Sequence, residues 1–419
     1  MAAYSKPALS FGQKLSLFLK LIVLAPPTIL FNYIRCLAIA KSRNVALQPW
    51  FWFKCAFNKF ALRHLSALQI QSISPPTVAM YKSWTRKRLA KAVSEAKSSA
   101  NLSAQFLSQT LAVEIDSLPD GQSSLLWLGK NRSDPATTKI VYFFHGGGYG
   151  VPMLPGHFEW CLRAYLQAGF ETKENVAVAV LQYALVPHEQ YPTQLKQAAA
   201  GLSQLLSAGY KPENIIVGGD SAGGNLTLQL FGHLLHPHPE VVHSKLLQSN
   251  QKLAGAFLVS PWCGSQHNES WSFKKFGGID MLSTETMNSG VNNVLGVSKE
   301  ERDRYQEELR HGNGWAYPMD LDESHKKKWF EGLEQILGQV YMTAGEQEVF
   351  LEQIIDLKTV LEENKNLPLK FWSEKDAAHD WILLEGEKGV DGEGIRRMKA
   401  WTKEVFGLHA VIHNRPTTD

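Results

Sequence analysis

A chain of 419 residues is long enough for one large domain with a substantial core, or for two to three ordinary ones. Hydrophobic residues make up 44% and charged residues 20%, a globular balance that excludes a mainly disordered chain. The 43 basic and 40 acidic residues leave a formal charge of +3, and nothing reads as a stripe for nucleic acid. Cys36, Cys55, Cys161 and Cys263 lie far apart, with no metal-ligand spacing and no dense framework. They read as ordinary thiols or, in an oxidising lumen, as one disulfide at most.

The first feature in chain order is apolar. Residues 15–40 are rich in Leu, Ile, Val and Phe, flanked or interrupted by Lys14, Lys20, Arg35 and Lys41. Lys20 and the pair Pro26-Pro27 are expected to leave any unbroken apolar helix well short of the roughly 20 residues a membrane span needs. A second aromatic cluster follows at Trp50-Phe51-Trp52-Phe53. Three readings fit: an interfacial or re-entrant anchor, a kinked spanning anchor, or an apolar flap over a catalytic domain. No small-residue cleavage site of a secretory signal is recognisable. Association with a membrane, such as the endoplasmic reticulum, would run through residues 11–40; otherwise the chain is expected in the cytoplasm.

From about Val113 the texture changes. Residues 111–115 and 125–128 read as strands around the turn Pro119-Asp120-Gly121. Short apolar runs follow at 140–144, 176–183, 215–217, 255–259, 340–343 and 367–372, with helical stretches such as 158–168, 195–208 and 225–235 between them. Apolar runs without strict alternation suit strands covered on both faces, so the order predicts an α/β chain with a mostly parallel, doubly wound sheet. Two regions fall outside this rhythm: residues 1–100, and an insertion at about 265–335. The expected division is an apolar N-terminal and cap region (1–100), a catalytic domain (101–410) interrupted by a cap insertion, and a short tail (411–419). The charge runs at 299–310 and Lys326–Lys328 read as solvated helix faces.

Within this frame Gly219-Asp220-Ser221-Ala222-Gly223 has a strand directly before it and a helix directly after it. A serine on so sharp a turn is lifted above the sheet, with glycines two before and two after to let the chain bend. The helix N-terminus beneath it favours developing negative charge. Ser221 is therefore the candidate nucleophile. Upstream, His145-Gly146-Gly147-Gly148-Tyr149 follows the strand at 139–144. Three glycines let backbone N–H groups face a cavity, as a tetrahedral oxyanion requires. Gly146, Gly147 and Gly148 are the candidate oxyanion loop, with the N–H of Ala222 as a further donor. His145 is expected to anchor the loop rather than act as a base. No phosphate-loop pattern follows the glycines.

These two motifs together resemble the hormone-sensitive-lipase-like branch of the α/β-hydrolases. With His379-Asp380-Trp381 they are similar to its fungal steryl acetyl hydrolase-type members, over roughly residues 113–406. The resemblance implies an α/β-hydrolase fold with a helical cap. The stretch Gln182-Tyr183-Ala184-Leu185-Val186-Pro187-His188-Glu189-Gln190-Tyr191-Pro192 keeps the family's Tyr, Leu and Pro positions. It departs from the usual Asp, Arg and Glu at Gln182, Ala184 and His188.

A serine is a poor nucleophile near neutral pH, so a histidine must take its proton and a carboxylate must orient that histidine. In this fold the acid follows a late strand and the base follows the last one. The family pattern Asp-x-Leu-x-Asp, laid on residues 348–352, puts Glu348 on the first Asp and Phe350 and Glu352 on the other two. Glu348 is therefore chosen over Glu346, and His379 is the expected base. Asp380, adjacent in sequence, is expected to be poorly placed to orient that imidazole. His233, His236, His238 and His243 form a Pro-broken cluster read as a solvated turn rather than a metal site, so neither metal nor cofactor is expected. Glycosylation tripeptides occur at Asn101, Asn131, Asn225 and Asn268, cheaply, since Asn225 sits inside the elbow helix.

The expected function is a serine carboxylic-ester hydrolase working through an acyl-enzyme on Ser221. The resemblance implies acetyl or other short acyl esters of an apolar alcohol such as a sterol or polycyclic metabolite, a small-molecule substrate. Two rivals use the same sequence: acyl transfer or amide cleavage by the same triad, and a non-catalytic binding module. Such a module typically lacks a triad member, and here all three residue types are available.

Overall fold

The computed structural model describes residues 6–97, 101–129, 134–242, 251–266 and 270–408. His243, Asn131, Asn268 and the tail at 411–419 lie outside the described residues.

Branched and aromatic side chains favour a pleated, covered surface, and the predicted apolar runs form one eight-stranded sheet. Its strands are β1 (Glu114–Ser117), β2 (Ser124–Leu128), β3 (Lys139–Phe144), β4 (Val176–Gln182), β5 (Ile215–Asp220), β6 (Gly255–Val259), β7 (Val340–Gly345) and β8 (Leu369–Glu374). They are ordered β1-β2-β4-β3-β5-β6-β7-β8. β2 runs antiparallel to both β1 and β4, and every other pairing is parallel. Every residue of β4, β5, β6 and β7 is buried, because helices cover both faces. The two faces alternate along β3: Ile140, Tyr142 and Phe144 join one core, Val141 and Phe143 the other.

Two strands start two or more residues later than expected, for local reasons. Leu111 closes the helix Leu102–Thr110, so β1 begins only at Glu114. Pro368 accepts a bond from the N–H of Val340 but has none of its own to donate, so β8 begins at Leu369.

The N-terminus corrects the expectation of a broken helix. Phe11–Ser42 is one helix of 32 residues. Lys20–Leu24 is a wider, π-type turn, in which the N–H of Ala25 donates to Lys20 O. The carbonyls that the rings of Pro26 and Pro27 would strike, four residues back, belong to Ile22 and Val23 inside that wider turn. The helix passes two prolines without ending.

A second helix, Pro49–His64, carries the aromatic cluster. Phe51 stacks on Trp381 at 4.6 Å and Trp52 packs against the same ring at 5.1 Å, while Phe53 stays exposed. The connection from β6 to β7 is helical, with Trp271–Phe276, Thr284–Leu295, Lys299–Arg310 and Glu323–Trp329. Of these, Lys299–Arg310 buries only Tyr305, as a solvated charged helix should. The buried Lys59 ammonium joins the N-terminal region to this insertion, donating to Gly277 O (2.7 Å), Asp280 O (2.8 Å) and Leu282 O (3.1 Å). Burial lowers its pKa from the usual lysine value. Lys59→Met keeps the stem but orphans three buried carbonyls. It is expected to cost about 3 kcal/mol, read as a lower urea midpoint at unchanged slope.

Candidate active site

The register sets the site. Phe144 of β3 lies beside Gly219 of β5, and Asp220 beside Val259 of β6, so three strands end level. At the end of β5 the chain turns into the helix Ala222–Leu235 through Ser221, whose φ of 51° and ψ of −113° are strained for a residue with a side chain. The flanking glycines are obligatory. A Cβ on Gly219 or on Gly223 would sit 2.0 Å from Phe144 O. The turn is held by Ser221 N–H to Val259 O (2.9 Å) and Trp262 N–H to Ser221 O (3.0 Å).

The structure brings Ser221, His379 and Glu348 together. Ser221 Oγ lies 2.9 Å from His379 Nε2, and His379 Nδ1 lies 2.9 Å from Glu348 Oε1. The second carboxylate oxygen, Oε2, accepts from Ser260 Oγ (2.7 Å) and Gly345 N–H (2.7 Å), which leaves Oε1 facing the imidazole. Phe350 meets the His379 ring edge-to-face at 5.0 Å. Glu346 points elsewhere and accepts from the exposed Ser373 hydroxyl. Glu352 accepts from Ser270.

The glycine loop lies over the elbow. Gly147 and Gly148 have φ of 101° and 57°, and Gly146, Gly147 and Gly148 line the same cavity as Ser221. A Cβ on Gly146 would be 2.2 Å from Asp220 Oδ2. Ala222 is the first residue of its helix, so its N–H has no partner one turn back. His145 anchors this loop. Its Nδ1–H donates to Gly146 O (2.7 Å), its ring stacks on Tyr183 at 4.4 Å, and the Tyr183 hydroxyl donates to His145 O (2.7 Å). Burial, reinforced by His157, lowers its pKa to about 3, so the ring is neutral. Tyr149 reaches the elbow helix, donating to Asn225 Oδ1 (2.6 Å), while Asn225 Nδ2 donates to Ala316 O (2.9 Å).

At Ala184, one of the departures from the family pattern, two glutamines hold the backbone. Gln197 Oε1 accepts from Ala184 N–H (2.7 Å), and Gln194 donates to Ala184 O (2.9 Å). The histidine cluster is more buried than expected. His233 and His238 are buried, His238 N–H donates to His233 Nδ1, and His236 stacks on Trp329 at 4.5 Å. These rings pack and cap backbone. The four cysteines are buried and unpaired.

Sequence reasoning missed three partners. Ser260 is one. Asp280, from the insertion, accepts from Val349 N–H (2.6 Å) and lies 3.4 Å from His379 N, tying the Glu348 and His379 loops together. Burial raises its pKa to about 6, against the pull of His379. His157 Nε2–H donates to Asp220 Oδ2 (3.1 Å), with Nδ1 accepting from Leu154 N–H. Burial would lower the pKa of His157, but Asp220 outweighs it and the net shift is upward. Only Asp220 stood inside a recognisable motif.

Asp380 makes a contact that the sequence did not suggest. Its Oδ2 lies 3.2 Å from His379 Nε2, the nitrogen that faces Ser221. It does not orient the imidazole as Glu348 does, but it competes for the same proton. Burial raises Asp380 to about 7. Burial opposes charge on His379 too, yet Asp380 and Glu348 together hold its pKa well above the ordinary histidine value.

The cavity above Ser221 has a volume of about 330 Å³, and its walls come largely from the two irregular regions. Phe57, Phe60, Leu65 and Ile70 line one side, Met281 and Met287 another.

A sheet of this order with a serine on its strand-to-helix elbow defines the α/β-hydrolase fold. A family model described as the alpha/beta hydrolase fold matches residues 141–383, more than half of the chain, and the protein belongs to that family. It is 24% identical over 287 residues to a protein of Schizosaccharomyces pombe named as a steryl acetyl hydrolase, covering 67% of this chain and 68% of that one. It is 28% identical over 137 residues to steryl acetyl hydrolase 1 of Saccharomyces cerevisiae, covering 32% of this chain and 28% of that one. In structure it is similar to carboxyl esterase 2 of Tuber melanosporum, with a TM-score of 0.53 and 18% identity over 71% of this chain and 88% of that one.

The Asp380 contact makes a prediction about pH. Its carboxylate favours a proton on Nε2, and a base must have that nitrogen free. Asp380→Asn removes the negative charge, so the His379 pKa falls and the acid limb of kcat/KM moves to lower pH. A pH–rate profile with a soluble ester checks this; an unmoved acid limb contradicts it.

Proposed function

We propose that the protein hydrolyses short acyl esters, acetates above all, of an apolar alcohol such as a sterol or polycyclic metabolite. One observation carries the reading: the hydrogen-bonded line Glu348–His379–Ser221 ends at the floor of a cavity with largely apolar walls. Ser221 Oγ attacks the ester carbonyl as its proton passes to His379 Nε2, and Glu348 steadies the imidazolium that forms. The N–H groups of Gly147, Gly148 and Ala222, within the loop that Gly146 opens, receive the oxyanion. The intermediate collapses to an acyl-enzyme, and His379 returns the proton to the departing alcohol. Water then gives its proton to His379, attacks the acyl carbon, and releases the acid and free Ser221.

The N-terminal region and the insertion act together as a cap in this reading, because both wall the cavity. Apolar alcohols partition into lipid, and the names of the two yeast relatives support a steryl ester as substrate. Membrane association belongs to the same reading, since Phe11–Ser42 is long and apolar enough to cross a membrane.

Labelling with a fluorophosphonate tests the assignment. Ser221→Ala is expected to lose labelling entirely and roughly 10⁶-fold in turnover, His379→Ala a similar factor, and Glu348→Gln roughly 10⁴-fold. Glu346→Gln is expected to keep near-normal activity. Full labelling of Ser221→Ala, or a loss on Glu346→Gln matching that of Glu348→Gln, overturns the corresponding role.

A further inference from the structure

The near balance of charge over the whole chain hides a separation. Fourteen lysines and arginines, and no aspartate or glutamate, precede Glu95, so the rest of the chain is acidic on balance. The basic excess coincides with the exposed apolar helix. On Phe11–Ser42 the side chains of Phe18, Ile22, Val23, Leu30, Phe31 and Ile34 are 57–65% exposed. Lys14, Arg35 and Lys41 on the same helix are exposed as well. A contiguous apolar face of this kind, bordered by cations, is complementary to an anionic lipid surface.

The way the helix is fastened decides how it would sit in that surface. Near its start, Gln13 O accepts from Gln69 Nε2 (3.2 Å), and Leu17 packs against Leu65. Cys36 donates to Ile279 O (3.4 Å), and beyond the last turn Arg43 donates to Gln347 Oε1 (3.1 Å) and Lys275 O (2.6 Å). The helix is 32 residues long, about 48 Å, against a hydrocarbon core of about 30 Å. Were it to span, Gln69 and Gln347 would stand on opposite sides of the membrane, yet both belong to the body that carries the site. A helix held along one side must lie flat, with its other side in the lipid.

Its inner side is a wall of the cavity. Leu21, Ala25 and Ile29, four residues apart, line the space over Ser221. Leu21 and, on the second helix, Phe57 also line it while remaining 37% and 43% exposed, so they form its rim, whereas Ser221 at the floor is 7% exposed. The rim lies on the apolar face. We propose that Phe11–Ser42 lies in the plane of an anionic membrane surface, and that the ester enters the cavity from the lipid between Leu21 and Phe57. The route of entry rests on the hydrolase reading; the docking does not.

The experiment uses the full chain with phosphatidylcholine vesicles, with and without phosphatidylserine. Wild-type protein should sediment with vesicles, more so with phosphatidylserine and less so in high salt. Phe18→Glu combined with Phe31→Glu changes only lipid-facing positions. It should lower sedimentation roughly tenfold. Hydrolysis of a steryl acetate dissolved in the vesicles should fall with it, while hydrolysis of soluble p-nitrophenyl acetate is retained. In vesicle-bound protein, cysteines placed by Ser10→Cys and Ser42→Cys should both react with an impermeant maleimide added outside. Protection of either one overturns the in-plane arrangement in favour of a span. Wild type that cleaves the soluble ester but ignores vesicles overturns the docking and leaves the hydrolase reading standing. Wild type that binds vesicles and cleaves no ester overturns the route of entry and the hydrolase reading together, and leaves the docking. A charged double variant that still takes ester from vesicles at the wild-type rate overturns the route of entry.

Discussion

At the end of β5, a residue with a side chain is held where side chains are strained, and the strands around it exist in the arrangement that allows this. A conformation like that of Ser221 costs about 1–3 kcal/mol and persists only where its surroundings over-determine it. Here they do. Gly219 and Gly223 both press on the carbonyl of Phe144, so β3 must lie directly beside β5 with no side chain between. Val259 of β6 accepts the N–H of Ser221, and Trp262, just past that strand, donates back to its carbonyl. Three parallel strands are thereby locked in register around one serine. Because β3 ends at Phe144, the glycine loop that follows cannot avoid lying over the hydroxyl.

A second constraint follows from burying so many ionisable groups in one place. Glu348, Asp280, Asp380, Asp220, His157 and His379 are all buried. A lone buried carboxylate is costly, and each of these is offset differently. Glu348 is fully engaged by Ser260, Gly345 and His379. Asp280 takes backbone N–H groups from the Glu348 and His379 loops, and the Lys59 ammonium binds its carbonyl. Asp220 has His157. Asp380 alone shares the His379 nitrogen that faces Ser221, and burial raises its pKa to about 7. The cluster therefore couples the rigidity of the loops to the protonation of His379.

How much of this could be read beforehand depends on whether the determinant is local. The elbow and the glycine loop are written in consecutive residues, because a tight turn needs its glycines at fixed offsets. Chain order then placed His379. The choice of Glu348 over Glu346 needed a family pattern, since two carboxylates two residues apart look alike until the fold turns one toward the imidazole and the other toward Ser373. Asp280 and Ser260 had no signal at all: they reach the site from an insertion and from a strand end, across 99 and 88 residues from the groups they touch. The prolines of the first helix misled for the opposite reason. A local rule was obeyed through a wider turn rather than a break.

The same division separates chemistry from selectivity. The family match at residues 141–383 contains Ser221, Glu348, His379 and the glycine loop. Leu21, Ala25, Ile29, Phe57, Leu65 and Ile70, which wall the cavity, all lie before it. These residues lie in or next to helices outside the sheet, so no strand register restricts them, and substitutions there reshape the cavity without moving the elbow. The shape of the cavity is therefore set mainly by the first eighty residues and the insertion. Of Leu21, Ala25, Ile29, Phe57, Leu65 and Ile70, only Leu21 and Phe57 are also exposed, at the rim, while Ala25 and Leu65 are buried, so removing the N-terminal helices would open the cavity on that side.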